Sequence, residues 1–179
     1  MNKHDALRFL VHMSGDVHQP LHVATGFFKF DGEGRATLIT EPDEAAANMP
    51  GADSGGNKLL LEKNLPLHRY WDENLVALNA ETEAELAVKL RDRVAAFKPA
   101  NTGAVRSWPA QWATDSIGVS RAMYSELKFG KRFPRTGSYW TLYLNFQGET
   151  KEKFTKMAGE QLVKATRNLA ETLGAIQWK

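Results

Sequence analysis

Cysteine is absent from this chain, which excludes disulfide frameworks, thiolate zinc sites and cysteine nucleophiles together. No uninterrupted apolar run reaches the roughly eighteen residues that a membrane-spanning helix needs. No basic-then-apolar leader with a small-residue cleavage site opens the sequence. Charge of either sign is barely in excess: 23 Lys and Arg stand against 21 Asp and Glu, a formal +2. What is present is ordinary for a folded protein. Apolar residues make up 42% and aromatics 10% of 179 residues, enough to bury a core and too much for intrinsic disorder. That length suits a single domain, residues 1–179.

The near-balance of charge conceals a division. Residues 1–82 carry 7 Lys and Arg against 12 Asp and Glu, a net −5, while residues 83–179 carry 16 against 9, a net +7. All five histidines (His4, His12, His18, His22 and His68) fall in the acidic part. Imidazoles gathered among carboxylates, without thiols, suit a borderline or hard divalent cation such as zinc. Uneven scatter of His and Asp gives the same composition, so spacing must decide.

Periodicity predicts a mainly α chain with one small β excursion. Residues 5–17 read as a helix capped by Asp5, with Ala6, Leu10, Met13 and Val17 on one stripe and Phe9, His12 and Asp16 on another. Two stripes predict a helix enclosed on most sides, and Pro20 marks its exit. Residues 27–40 read as two short strands around a DGEG turn, 41–57 as loop, and NKLLLEK as one strand. The remainder is expected to be helical. Thr82 and Glu85 make a capping box ahead of Leu86, Leu90, Val94 and Phe97. A second helix starts near Ser107-Trp108-Pro109 and carries Trp112, Ser116, Val119, Met123 and Leu127 on one face. A last helix runs from about Lys151, its buried stripe being Phe154, Met157, Leu162, Ala165, Leu169, Leu173 and Ile176. Trp108, Trp112 and Trp140 are assigned to the core.

The chemistry lies in one short string, His12-Met-Ser-Gly-Asp16-Val-His18-Gln-Pro-Leu-His22. His12 and Asp16 are four apart on a predicted helix and can converge on one ion. Gly15 leaves room beside them, and Pro20 turns the chain so that His22 can serve a neighbouring site. His68-Arg-Tyr-Trp-Asp72 repeats the His–Asp spacing. Each pair alone reads first as a core or ion-pair feature. Two pairs with His22, taking most of the histidines, point to a metal.

The run ALRFLVHMSGDVHQPLHVA, then DSGGN at 53–57, then NLPLHRYWDEN at 64–74, resembles the S1/P1 nuclease family. The similarity continues through SWPAQWATDSIGVSRAMYSEL and QLVKATRNLAETLGAI. It implies a multi-helix fold of the phospholipase C/P1 nuclease kind, secreted or periplasmic, with three zinc ions in a cleft. It implies that His12 and Asp16 are ligands of the first zinc, with Asp16 bridging to the third. His22, His68 and Asp72 would be the protein ligands of the second, and His18 a neighbour and not a ligand. The activity implied is hydrolysis of single-stranded DNA and RNA, with 3′-nucleotidase action and 5′-mononucleotide products. A water between the first and third zincs would attack while the second stabilises the departing 3′ oxygen. In the family roughly a hundred residues precede this point and complete the first and third sites. The expectation is therefore a C-terminal portion that keeps one full zinc site and part of the others.

Further candidates stand on less. Phe27 and Phe28 are rings for base stacking or for the core. Asn57 and Asn74 are substrate contacts or turn residues. Arg121, Lys128, Lys131, Arg132 and Arg135 form a basic stretch against Glu126 alone, a phosphate attractor or a solvated helix end. Two other functions are kept in view. One is a zinc phospholipase C-like phosphodiesterase, whose last helix-borne ligand is a glutamate where this chain has Asp72. The other is a catalytically silent metal-binding helical fragment.

Overall fold

A computed structural model of the chain describes residues 2–77, 79–134, 140–144 and 146–176. Helix α1 runs Lys3–His18 and is capped by Asn2, whose side chain accepts from the Asp5 amide at 2.8 Å. The predicted cap, Asp5, sits instead in the first turn, where its charge meets the positive end of the helix. α1 ends because a residue before proline avoids helical backbone. Gln19 is extended (φ −82°, ψ 115°), and α2, Pro20–Val23, starts at once with Pro20 at a position that needs no N–H. The expected enclosure of α1 is not found. Ser14 and His18 are buried on the side that meets the later helices, while Leu7, Val11, Met13 and, at 58%, Phe9 are exposed.

Strands β1 (Phe28–Phe30) and β2 (Ala36–Leu38) pair antiparallel around the DGEG turn, as expected. The segment read as loop contains a short helix, α3 (Pro42–Ala47), begun by proline and continued by three alanines. β3, Leu59–Leu60, lies parallel to β5 (Trp140–Leu144), which pairs antiparallel with β4 (Phe129–Pro134). Those last two strands correct the all-helical reading of the second half. FGKRFP and WTLYL are rich in aromatic residues that fit a half-buried pleat. Arg135 of the basic stretch lies outside the described residues. α4 (Leu67–Arg69) runs into a π-turn, Tyr70–Leu75. Then come α5 (Glu83–Ala96), α6 (Trp108–Glu126) and α7 (Glu149–Ala175). The fold is mainly α, as expected.

Phe28, Leu59, Leu67, Leu75, Met123, Leu142 and Phe154 are fully buried, each side chain contributing ~1.5–3 kcal/mol by leaving water. Trp112 and Trp140 are buried as assigned, whereas Trp108 is only half-buried. Of the stripe predicted for α7, Phe154 is buried and the other six residues are half-buried. The inward positions are also held by Gln161, Asn168 and Thr172, which are polar. His18 Nδ1 donates to the Ser14 carbonyl at 2.7 Å, which leaves Nε2 to accept from Asn168 Nδ2 at 2.9 Å. Asn168 Oδ1 accepts from Asn101 at 3.1 Å, and Asn101 accepts from Trp112 Nε1 at 2.7 Å. Desolvation holds the His18 imidazole below its ordinary value, consistent with a neutral ring that both donates and accepts. This network ties α1, α6 and α7 together just behind the residues that carry the chemistry.

Candidate metal centre

The corner between α1 and α2 brings the motif residues to one place. His12 and Asp16, one helical turn apart, stand with Nε2 3.2 Å from Oδ2. His22, on α2, directs Nδ1 towards Asp16 Oδ1 at 3.8 Å and Nε2 towards Asp72 Oδ1 at 3.4 Å. His68 Nε2 lies 3.5 Å from Asp72 Oδ2. The His22 and His68 rings stack with centroids 4.8 Å apart. One donor atom from each of His22, His68 and Asp72 falls within 4.8 Å of the other two. All five predicted ligand positions thus form one continuous chain of side chains. His4 is not part of it and faces Asp5 at 3.9 Å.

Two neighbours that the sequence reading did not single out orient this group. His68 Nδ1 donates to the Gly55 carbonyl at 2.8 Å, which places the ring proton on Nδ1 and leaves Nε2 with its lone pair. Gln19 Oε1 accepts from the Leu21 amide, so its amide nitrogen points the other way and donates to Asp72 Oδ1 at 2.9 Å. The signals were present: Gln19 sits inside the HQPLH string, and Gly55 inside DSGGN.

The group opens on a cleft of about 410 Å³ between α1, the π-turn and α7. Asp16 and Asp72 contribute carboxylates to its lining, which among the described residues includes no Lys or Arg. Trp71, Val76, Leu162 and Ala165 make an apolar wall. A second groove, lined by His22 as well, reaches His68 and Gly55.

The candidate substrate contacts fare differently. Phe28 is 0% exposed, and its ring packs against Tyr124, Phe129 and Trp140. It offers no face to a base, which corrects that expectation; Phe27 is half-buried. Asn57 closes its own turn by donating to the Ser54 carbonyl at 2.8 Å. Asn74 is exposed, two residues beyond Asp72. In the basic stretch, Arg132 lies over the Phe30 ring at 4.9 Å, away from the cleft. His18, with both ring nitrogens engaged, is a buried packing residue.

This mainly α domain gathers imidazoles and carboxylates at an open cleft, in a group of side chains that could hold a divalent cation. The model of one family, S1/P1 Nuclease, matches residues 1–177. The chain belongs to the S1/P1 nuclease family, whose members are hydrolases of phosphodiester bonds, zinc-dependent in general and generally secreted. No curated protein and no solved structure matches the chain. No helix among the described residues is long and apolar enough to cross a membrane.

Proposed function

We propose that the chain is a zinc-dependent phosphodiesterase of single-stranded DNA, RNA and 3′-nucleotides, yielding 5′-mononucleotides. His22, His68 and Asp72 hold one zinc ion, and His12 and Asp16 are ligands of a further site. The observation that carries this reading is the spacing of the first three. The two imidazole–carboxylate distances, 3.4 and 3.5 Å, are long for hydrogen bonds. Each, His22 to Oδ1 and His68 to Oδ2, is close to the ~3.4 Å between two ligands of a tetrahedral zinc, and one donor from each of the three residues lies within 4.8 Å of the other two. Two nitrogens and one carboxylate suit that ion and leave a position open for water or substrate.

Bound there, zinc supplies positive charge beside a phosphate oxygen and acidity to water. The residues do the rest. His68 presents its bare Nε2 because Gly55 holds the other nitrogen's proton, and Gln19 fixes the Asp72 carboxylate. Asp16 and Asp72, with no Lys or Arg in the cleft lining among the described residues, would repel a phosphodiester until bound cations offset their charge. The apolar wall then offers a surface for a nucleoside, and exposed Asn74 is kept as a substrate contact. Residence outside the cytoplasm, secreted or periplasmic, is part of the same reading.

His12 and Asp16 supply two donors, fewer than the three protein ligands of a catalytic zinc, so hydrolysis by this chain alone is expected to be slow. The test titrates zinc into the metal-free chain against a chromophoric chelator and follows cleavage of a single-stranded oligonucleotide. At least one tight site, lost in His68→Ala, and cleavage abolished by chelator and restored by zinc are the expected results. Zinc affinity unchanged in both His22→Ala and His68→Ala would overturn the assignment.

A further inference from the structure

Asp53 is a carboxylic acid with 0% exposure and is not among the proposed ligands. Enclosing a carboxyl is costly unless hydrogen bonds replace its water. Here they do. Tyr124 Oη donates to Asp53 Oδ2 at 2.6 Å and the Gly26 amide donates to Oδ1 at 3.1 Å. The amides of Gly56 and Gly55 also act on the carboxyl, opposing the rise that burial imposes. The loop around it turns through three successive residues at positive φ: Ser54 (59°), Gly55 (62°) and Gly56 (81°). A Cβ on Gly55 would lie 2.5 Å from the Leu21 carbonyl oxygen, so no larger residue fits without moving the loop. The Gly55 amide donates to Thr25 Oγ1 at 3.1 Å, and its carbonyl takes the proton of His68 Nδ1.

We propose that Asp53, anchored by Tyr124, is a positioning residue that shapes this loop so that the Gly55 carbonyl selects the Nδ1–H tautomer of His68. A neutral histidine left to water keeps its proton mainly on Nε2, the nitrogen that must be bare to bind an ion here. The loop therefore does chemical work at a distance: a carboxyl on one side of the turn decides where a proton sits on the other. For zinc the inference rests on His68 being a ligand. For the tautomer it does not.

The experiment records side-chain ¹⁵N shifts of His68 and His22 in the metal-free chain, above the pH at which imidazole ionises. Zinc affinity is then measured by chelator competition. The wild type should show His68 predominantly as Nδ1–H. Asp53→Asn should lower its Nδ1–H to Nε2–H ratio at least about threefold and weaken zinc binding about 10–100-fold, with the His22 signals unmoved. Asp53→Asn that melts earlier but keeps the wild-type His68 tautomer and zinc affinity would overturn the proposal, leaving Asp53 as support for the fold alone. If Asp53→Asn does not fold, Tyr124→Phe removes one O–H donor and keeps the carboxyl. Its His68 ratio should fall less, and an unchanged ratio in that folded variant overturns the proposal too. A wild type with His68 as Nδ1–H but no zinc site would refute the function proposed above and leave this inference standing.

Discussion

Replacing Asn168 by alanine measures how far the fold depends on the polar face of α7. Asn168 is nearly buried, donates to His18 Nε2 at 2.9 Å and accepts from Asn101 at 3.1 Å. Without it, Asn101 still reaches Glu171 at 2.6 Å, but the His18 acceptor is stranded inside the protein. A stranded buried acceptor costs ~1–3 kcal/mol. Alanine returns ~0.6 kcal/mol as the better helix former. The net loss is about 0.4–2.4 kcal/mol, and for a chain of this size it lowers the melting temperature by ~2–4 °C per kcal/mol. Urea unfolding of the metal-free chain, followed by far-ultraviolet circular dichroism and tryptophan fluorescence, reads it directly. Asn168→Leu separates the explanations. If α7 were held by apolar contact alone, leucine would be neutral or stabilising; the network predicts a loss at least as large as alanine's, with overpacking added. Both variants within about 0.5 kcal/mol of wild type, the usual range of an unimportant surface change, would refute the reasoning.

Three further outcomes are expected. Gln19→Ala, which frees Asp72 Oδ1, should weaken zinc about 10–100-fold while costing only ~1 kcal/mol of stability through the lost cap; unchanged zinc affinity in a chelator competition would count against it. Phe28→Ala should destabilise by ~3–5 kcal/mol in urea unfolding, because its ring is core; a variant of wild-type stability with weakened oligonucleotide binding would restore the stacking role. For pH, burial raises the Asp53 carboxyl above its ordinary 3.8, partly opposed by Tyr124 and the glycine amides. The folded chain therefore binds that proton more tightly than the unfolded one, and Asp53 contributes more stability as pH falls towards 3.8. The stability difference between wild type and Asp53→Asn should shift in favour of wild type on acidification, and the opposite slope would contradict the burial argument.

The pairs His12–Asp16 and His68–Asp72 were legible in the sequence for a local reason, the i, i+4 spacing. That His22 would join His68 and Asp72 was implied by the family resemblance, because the fold must bring together segments 46 residues apart. What orients them was not legible. The groups that hold His68 and Asp72 are a backbone carbonyl, Gly55, and an amide that looks like any surface glutamine. Burial was misjudged wherever it depends on distant partners. Phe28 is enclosed by Tyr124, Phe129 and Trp140, about a hundred residues away. α7 turns Gln161 and Asn168 inward because His18 and Asn101 wait there with matching donors and acceptors. β4 and β5 went unseen because their aromatic residues also suit a helix in a mainly helical chain.

The π-turn at Tyr70–Leu75 makes chain length, not composition, the fragile property of this part of the protein. A π-turn is an α-helix carrying one residue too many, held open by its surroundings. Glu73 is exposed and pairs with Arg69, also exposed, at 3.0 Å, so exchanging it for alanine is worth a few tenths of a kcal/mol, ~0.3–0.5. Deleting it is another matter. The coil would close to α pitch, which keeps the flanking turns in register but re-aims the residues within the bulge by up to about 100°, unseating the turn that holds Asp72. Point substitution and single-residue deletion at the same address thus belong to different orders of damage, and related chains are expected to vary freely in which residue stands at 73 but not in how many stand between His68 and Leu75.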